Sequence, residues 1–132
     1  MIVTFFDRQD EGNPLNGSTF SNSSALLDCL HELSSRPPFL CEIENENGFK
    51  LLVGIGGRWS CIQHSRTDGL PPYLMAVPRE TQSGVSDMEF LMGNTGTPIR
   101  GRYILKSELA DKLVSFFVEA GGRSDAVEWE EI

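Results

Sequence analysis

The amino-acid sequence predicts an α+β fold: a mainly antiparallel sheet of about six to seven strands with two helices packed on one face. Three observations carry this expectation. Short apolar runs fill the middle of the chain, several of them alternating at period two. Connections of hairpin length, rich in Gly, Asn, Asp and Pro, separate them, and such connections join antiparallel neighbours. Two further segments carry apolar residues at helical spacing, each with one apolar face to lay on a sheet.

The elements follow in order β-α-β-β-β-β-β-α-β. Met1–Phe6, with Val3, Phe5 and Phe6, reads as the first strand, and residues 7–21 read as a polar loop. Helix one is capped by Asn22, Ser23 or Ser24, whose side-chain oxygens accept from free first-turn N–H groups. Its apolar face is Leu26, Leu30 and Leu33, and Pro37-Pro38 cannot continue it. Phe39–Glu46 is a strand with Phe39, Cys41 and Ile43 on one face and Glu42, Glu44 and Glu46 on the other. Lys50–Ile55 is near-continuously apolar and should be central. Gly56-Gly57 turns the chain into Trp59–Gln63 as a hairpin. Tyr73–Val77 and Asp87–Gly93 are further strands, with loops at Arg66–Pro72 and Pro78–Ser86. Asn94–Pro98 reads as turn. Helix two starts at Ser107 as N-cap, with Glu108 and Asp111 at its positive end. Leu109, Leu113, Phe116, Phe117 and Ala120 form its apolar face, and Gly121-Gly122 ends it. Ala126–Trp129 closes the chain as a strand.

At 132 residues one domain, 1–132, is expected, since two would each be too small to hold a good core. Nineteen Asp and Glu against eleven Lys and Arg give a net charge of −8. That acidity argues against wrapping nucleic acid directly, because phosphates need Lys and Arg. It suits a basic partner. No apolar stretch reaches the roughly 20 residues of a membrane span. The first ten residues lack the pattern of a signal peptide, and there is no lipidation box, so the expected setting is cytoplasmic, without a membrane partner. Cys29, Cys41 and Cys61 fit a reducing compartment: their spacings match no CxxC pattern, and each sits in an apolar segment as a small hydrophobe.

Catalytic signatures are sparse. His31 and His64 stand in no HExxH and near no Cys at ligand spacing, and read as ordinary, partly exposed residues. The H-x-E and P-C-x-x-C pattern of a zinc deaminase is missing, as is a GxSxG elbow. Gly54-Ile55-Gly56-Gly57 precedes a strand rather than a helix, so it is a hairpin turn and not a phosphate loop. No metal and no cofactor is expected. Glu42, Glu44 and Glu46, Asp87 and Glu89, and Glu128, Glu130 and Glu131 are rows of carboxylates. Such rows serve acid–base chemistry, hold a divalent metal, or form a solvated face, and the last is the common case for a half-exposed strand. A fourth reading is a negative surface that docks a basic protein. Trp129 and Tyr103 read as packed aromatics; Trp59 and Tyr73 are core or interface anchors.

One combination of residues resembles a known family. Leu52-Val53-Gly54-Ile55-Gly56-Gly57 stands with Trp59-Ser60; Gly93 is followed by Thr97-Pro98-Ile99. Ala110–Phe117 then leads to Gly121-Gly122-Arg123-Ser124 and Val127-Glu128-Trp129. Residues 39–132 resemble the first immunity-protein family of bacterial polymorphic toxin systems, whose members often accompany nucleic-acid deaminase toxins. Ser124 departs from the Pro expected after the arginine. The resemblance implies a protein with no active site that neutralises a cognate toxin, basic and nucleic-acid-acting, by occluding its catalytic cleft. Occlusion demands an apolar or aromatic anchor within an acidic rim. From charge and loop placement, Asp68, Tyr73, Glu80, Asp87 and Glu89 are the expected partner-binding residues. Two other classes stay open: a small carboxylate-based or metal-dependent enzyme, and an acidic scaffold subunit of another complex. The oligomeric state is open as well.

Overall fold

The computed structural model describes residues 1–80 and 85–132. Among the described residues ten strands form one open sheet, and two helices pack on it. The strands are β1 (Val3–Asp7), β2 (Thr19–Phe20), β3 (Phe39–Asn45), β4 (Phe49–Gly56), β5 (Trp59–Arg66), β6 (Leu74–Pro78), β7 (Met88–Met92), β8 (Thr95–Ile99), β9 (Leu105–Lys106) and β10 (Val127–Glu131). The helices are α1 (Ser23–Leu33) and α2 (Ser107–Ala120), and a single 3₁₀ turn spans Gly101–Tyr103. The main path runs β10-β6-β5-β4-β3-β1-β2. Pairing is antiparallel except for one parallel bridge, Phe39 to Leu91, which hangs the β7–β8 hairpin from the start of β3.

Each face of the sheet builds its own core. Val3, Phe5, Phe39, Cys41, Ile43, Leu51, Val53, Ile55 and Ile62 point to the helices and meet Leu26, Leu30, Leu113, Val114 and Phe117. Fully burying one such side chain stabilises by roughly 1.5–3 kcal/mol. Alternate residues Leu40, Cys61 and Met75 point the other way, where Phe90 of the hairpin and Ile104 after the 3₁₀ turn cover them. All three cysteines are buried free thiols, as their apolar settings predict; burial pushes the Cys61 thiol up to about 12, which keeps it protonated.

The capping signals work at one helix and fail at the other. Asn22 caps α1, its Oδ1 accepting from the Ala25 N–H at 2.9 Å. Lys106, not Ser107, occupies the N-cap position of α2, and it makes no side-chain cap bond. Ser107 instead donates its hydroxyl to the Gly57 carbonyl, tying the helix to the β4–β5 turn. Only Glu108 lies in the first turn of α2; Asp111 reaches His31 of α1 at 2.9 Å. Gly121 ends α2 at φ 79°, in the left-handed region that glycine adopts without a Cβ penalty.

The α+β class holds, and among the described residues the sheet has three or four strands more than the six to seven expected. Thr95–Pro98 is not turn: the turn is Gly93-Asn94 alone, both at positive φ, which is the two-residue hairpin geometry. Thr95–Ile99 then pairs along β7 as β8, and its Pro98 is tolerated because β8 has no second neighbour. Residues 7–21 are likewise not one loop. Asp7 closes β1, and Thr19 and Phe20 return as β2 beside Val3 and Thr4. β9 is two residues that pair with Trp59 and Ser60.

Candidate functional site

Asp7 is fully buried and sits at the end of β1. Its carboxylate takes Arg36 at 2.7 Å, Asn13 at 3.0 Å and the backbone N–H groups of Gln9 and Asp10. Burial alone would raise its pKa; these donors more than offset that and hold it below the usual carboxylate range. Glu42 is also buried rather than part of a solvated row. It is held by Arg8 at 2.7 Å and Lys50 at 3.4 Å. The remaining rows are partly neutralised: Arg79 meets Glu128, and Arg102 grips Glu130 with two nitrogens. That guanidinium lowers the Glu130 pKa. A general acid needs the opposite tuning. Among the described residues no three His, Cys, Asp or Glu gather as a metal site.

His64 is buried, contrary to its reading as a partly exposed residue. It packs between Phe49, Phe117 and Trp129, aromatic residues from three separate elements. Desolvation, with the nearby Arg123 charge, pushes its pKa down to about 4, so the ring is neutral at pH 7.

The five expected partner-binding residues fall into two groups. Asp68 and Tyr73 share the β5–β6 loop, where Asp68 accepts from the Leu70 N–H and pairs with Arg66, and the Tyr73 hydroxyl reaches the Gly69 carbonyl. Glu80 follows the far end of β6, beside Arg79, which reaches the Asp125 carbonyl and Glu128 of β10. Asp87 accepts from the Gly101 N–H at 2.8 Å, and Glu89 lies on β7 over Gly96. β7 meets the start of β3, and Arg66 ends β5, so the two groups occupy opposite ends of the sheet. Eight residues of β5 separate them, about 20–25 Å at roughly 3.3 Å per residue. The expected loop Pro78–Ser86 lies in part, at residues 81–84, outside the described residues.

The Asp68 end carries a feature that no local pattern announces. Exposed large apolar side chains gather there: Ile2 (48%), Phe49 (36%), Leu70 (54%), Phe116 (42%) and Ile132 (60%), with Met1. Phe49 opens β4 opposite Arg66. The Thr67 N–H bonds to Gly48 at 2.9 Å, which seats the Leu70 loop beside that turn. Ile132 bonds to the Tyr73 carbonyl at 3.0 Å. Asn45 donates to Gly121 at 3.2 Å, which sets the end of α2 over this end of the sheet; Phe116, expected on the buried face of the helix, is instead exposed about one turn before that end. The row crosses the sheet from β10 to β1, about 24 Å at some 4.8 Å per strand. Glu46 accepts from the Ile2 N–H at 3.2 Å and Asp68 from the Leu70 N–H at 3.0 Å, Glu131 precedes Ile132, and Arg66 pairs opposite Phe49. Among the described residues, Leu15 and Met92 are the exposed large apolar residues at the other end. An apolar patch of this kind with a polar rim marks a protein-docking surface.

Among the described residues no helix is long and apolar enough to cross a membrane. Neither a protein-family model nor a curated protein sequence matches the chain.

Proposed function

We propose that this protein is an immunity protein, which binds a nucleic-acid-acting toxin and neutralises it by covering the catalytic cleft. A cytosine deaminase is the proposed target class and the cytoplasm the proposed setting. The resemblance of residues 39–132 to the first polymorphic-toxin immunity family motivates the class of partner. The observation that carries the reading is the apolar row of Phe49, Leu70, Phe116 and Ile132, rimmed by Asp68, Glu46 and Glu131. A row about 24 Å long fits within the roughly 30 Å span of a standard interface, which buries around 800 Å² on each partner.

Charge supports the same partner. Asp7, Glu42, Asp68, Glu128 and Glu130 hold Lys or Arg, and Asp111 holds His31. The other acids have no basic partner among the described residues, and they give the surface its net negative field. A toxin that acts on nucleic acid presents positive charge to phosphates. The two fields steer the encounter and fix its orientation, while the desolvated apolar row supplies the slow off-rate.

Co-expression tests this. The protein should restore growth to cells making the toxic product of the neighbouring gene, and the two should co-purify as a stoichiometric complex. Turnover of a small metabolite by the protein alone, with no protection of those cells, overturns the reading.

A further inference from the structure

At the end of the sheet away from the docking surface, the β4–β5 turn and the start of α2 border a solvent-open cleft of about 420 Å³ lined by Arg58, Trp59, Lys106 and Glu108. We propose that this cleft binds a phosphomonoester carrying a planar ring, the chemistry of a nucleoside monophosphate.

The cleft is built from elements that fix its shape. Trp59 and Lys106 are cross-strand partners in the β5–β9 pairing, so their side chains leave the same face. Trp59 is half-buried against the second core and presents a fixed indole. Arg58 stands in the two-residue turn beside Gly57, which adopts φ 74°. Neither Arg58 nor Lys106 has a carboxylate within 4 Å among the described residues. In a chain of net charge −8, two unpaired cations in one cleft repel each other and leave an anion's place between them.

The residue types choose the anion. A guanidinium offers a planar fork that matches two phosphate oxygens, and an ammonium adds a point charge. An indole gives a planar group a stacking face. The volume falls within the range of small-ligand sites, about 300–1,000 Å³. Glu108 opposes the cations and leaves the lining with one net positive charge, which keeps binding weak and reversible. The site lies across the molecule from Phe49 and Leu70 and does not depend on the toxin.

Titration of the full chain at low salt, followed by the indole N–H signals in NMR, tests it with four probes: AMP, ribose 5-phosphate, adenosine and inorganic phosphate. AMP should saturate and move the Trp59 signal, binding about tenfold tighter than any of the three fragments. Arg58→Ala and Lys106→Ala, both at exposed positions that leave the core intact, should each weaken AMP about tenfold. Glu108→Gln should tighten it about threefold. AMP binding no better than inorganic phosphate, or unchanged by Arg58→Ala, overturns the proposal.

Discussion

The Phe49 ring stacks on the buried imidazole of His64, with centroids 5.2 Å apart and planes 28° from parallel. Phe117 and Trp129 approach the same imidazole edge-on at 6.1 Å. One histidine therefore joins β4, β5, α2 and β10, and it does so only while neutral. Its pKa is about 4 in the folded chain against 6.5 for an ordinary histidine. Between those values the unfolded chain binds the extra proton. The contribution is complete above pH 6.5, falls as the pH drops, and reaches a loss of about 3 kcal/mol near pH 4. Asp7, with its lowered pKa, destabilises only further down, below the 3.8 of an ordinary aspartate. Urea unfolding at pH 7 and pH 5 should show this fall in the native chain. His64→Phe should flatten it, and an equal fall in that variant would relocate the acid sensitivity.

The helices, β3 to β5 and the terminal strand were legible because their signals are local. Leu26 and Leu30, the Gly57 turn and Gly121 each declare themselves within a few residues. What stayed hidden depends on distance along the chain. Glu42 looks like one of an exposed row until Arg8, 34 positions earlier, closes on it. Thr95–Ile99 carries Gly96 and Pro98, turn residues by composition, and becomes a strand only because β7 lies alongside. Of the expected partner-binding residues, Asp68 and Tyr73 stand at the apolar row. The row itself comes from positions 2, 49, 70, 116 and 132, which no spacing rule connects.

The Asp7–Arg36 pair is the most consequential ion pair for stability. Asp7 has no exposed side-chain surface, whereas Arg36 is partly open and also lies over the Phe39 ring at 3.9 Å. Arg36→Ala strands a buried carboxylate and removes a cation–π contact. Breaking such a pair costs about 3–5 kcal/mol. Asp7→Asn keeps a side-chain oxygen that accepts from the Gln9 and Asp10 N–H groups and should cost less. Thermal melts of the two variants would check the order; an Arg36→Ala chain as stable as the native one would show that water reaches Asp7.

Two glycines should respond oppositely to alanine. A Cβ on Gly54 would stand 2.5 Å from the Cys61 sulfur and 2.8 Å from the Phe90 ring, both fixed in the core. Overpacking of this sort costs about 1–3 kcal/mol. The three atoms nearest a Cβ on Gly96 all belong to the Glu89 side chain, which is exposed and free to swing away. Gly96→Ala should therefore change stability by no more than about 0.5 kcal/mol. Denaturant midpoints that fall equally for both would mean the β7–β8 hairpin is held as tightly as the core.

The docking surface and the far acidic group make separable predictions for partner binding. If the apolar row supplies the anchor, Leu70→Asp and Phe116→Ser should act mainly through the off-rate. Each should cost about 2 kcal/mol or more, roughly thirtyfold in affinity. Neither side chain supports the core, so folding should survive. Reversing Glu80 or Glu89 to Lys, some 20–25 Å away, should reduce the on-rate by a few-fold at low salt and fade as salt is added, because a remote charge only steers. Asp87→Lys is less clean, since Asp87 also caps the Gly101 N–H. Surface plasmon resonance against the cognate toxin, at two salt concentrations, separates the two behaviours. Large, salt-independent losses from Glu80→Lys and Glu89→Lys, with Leu70→Asp silent, would move the interface to the opposite end of the sheet.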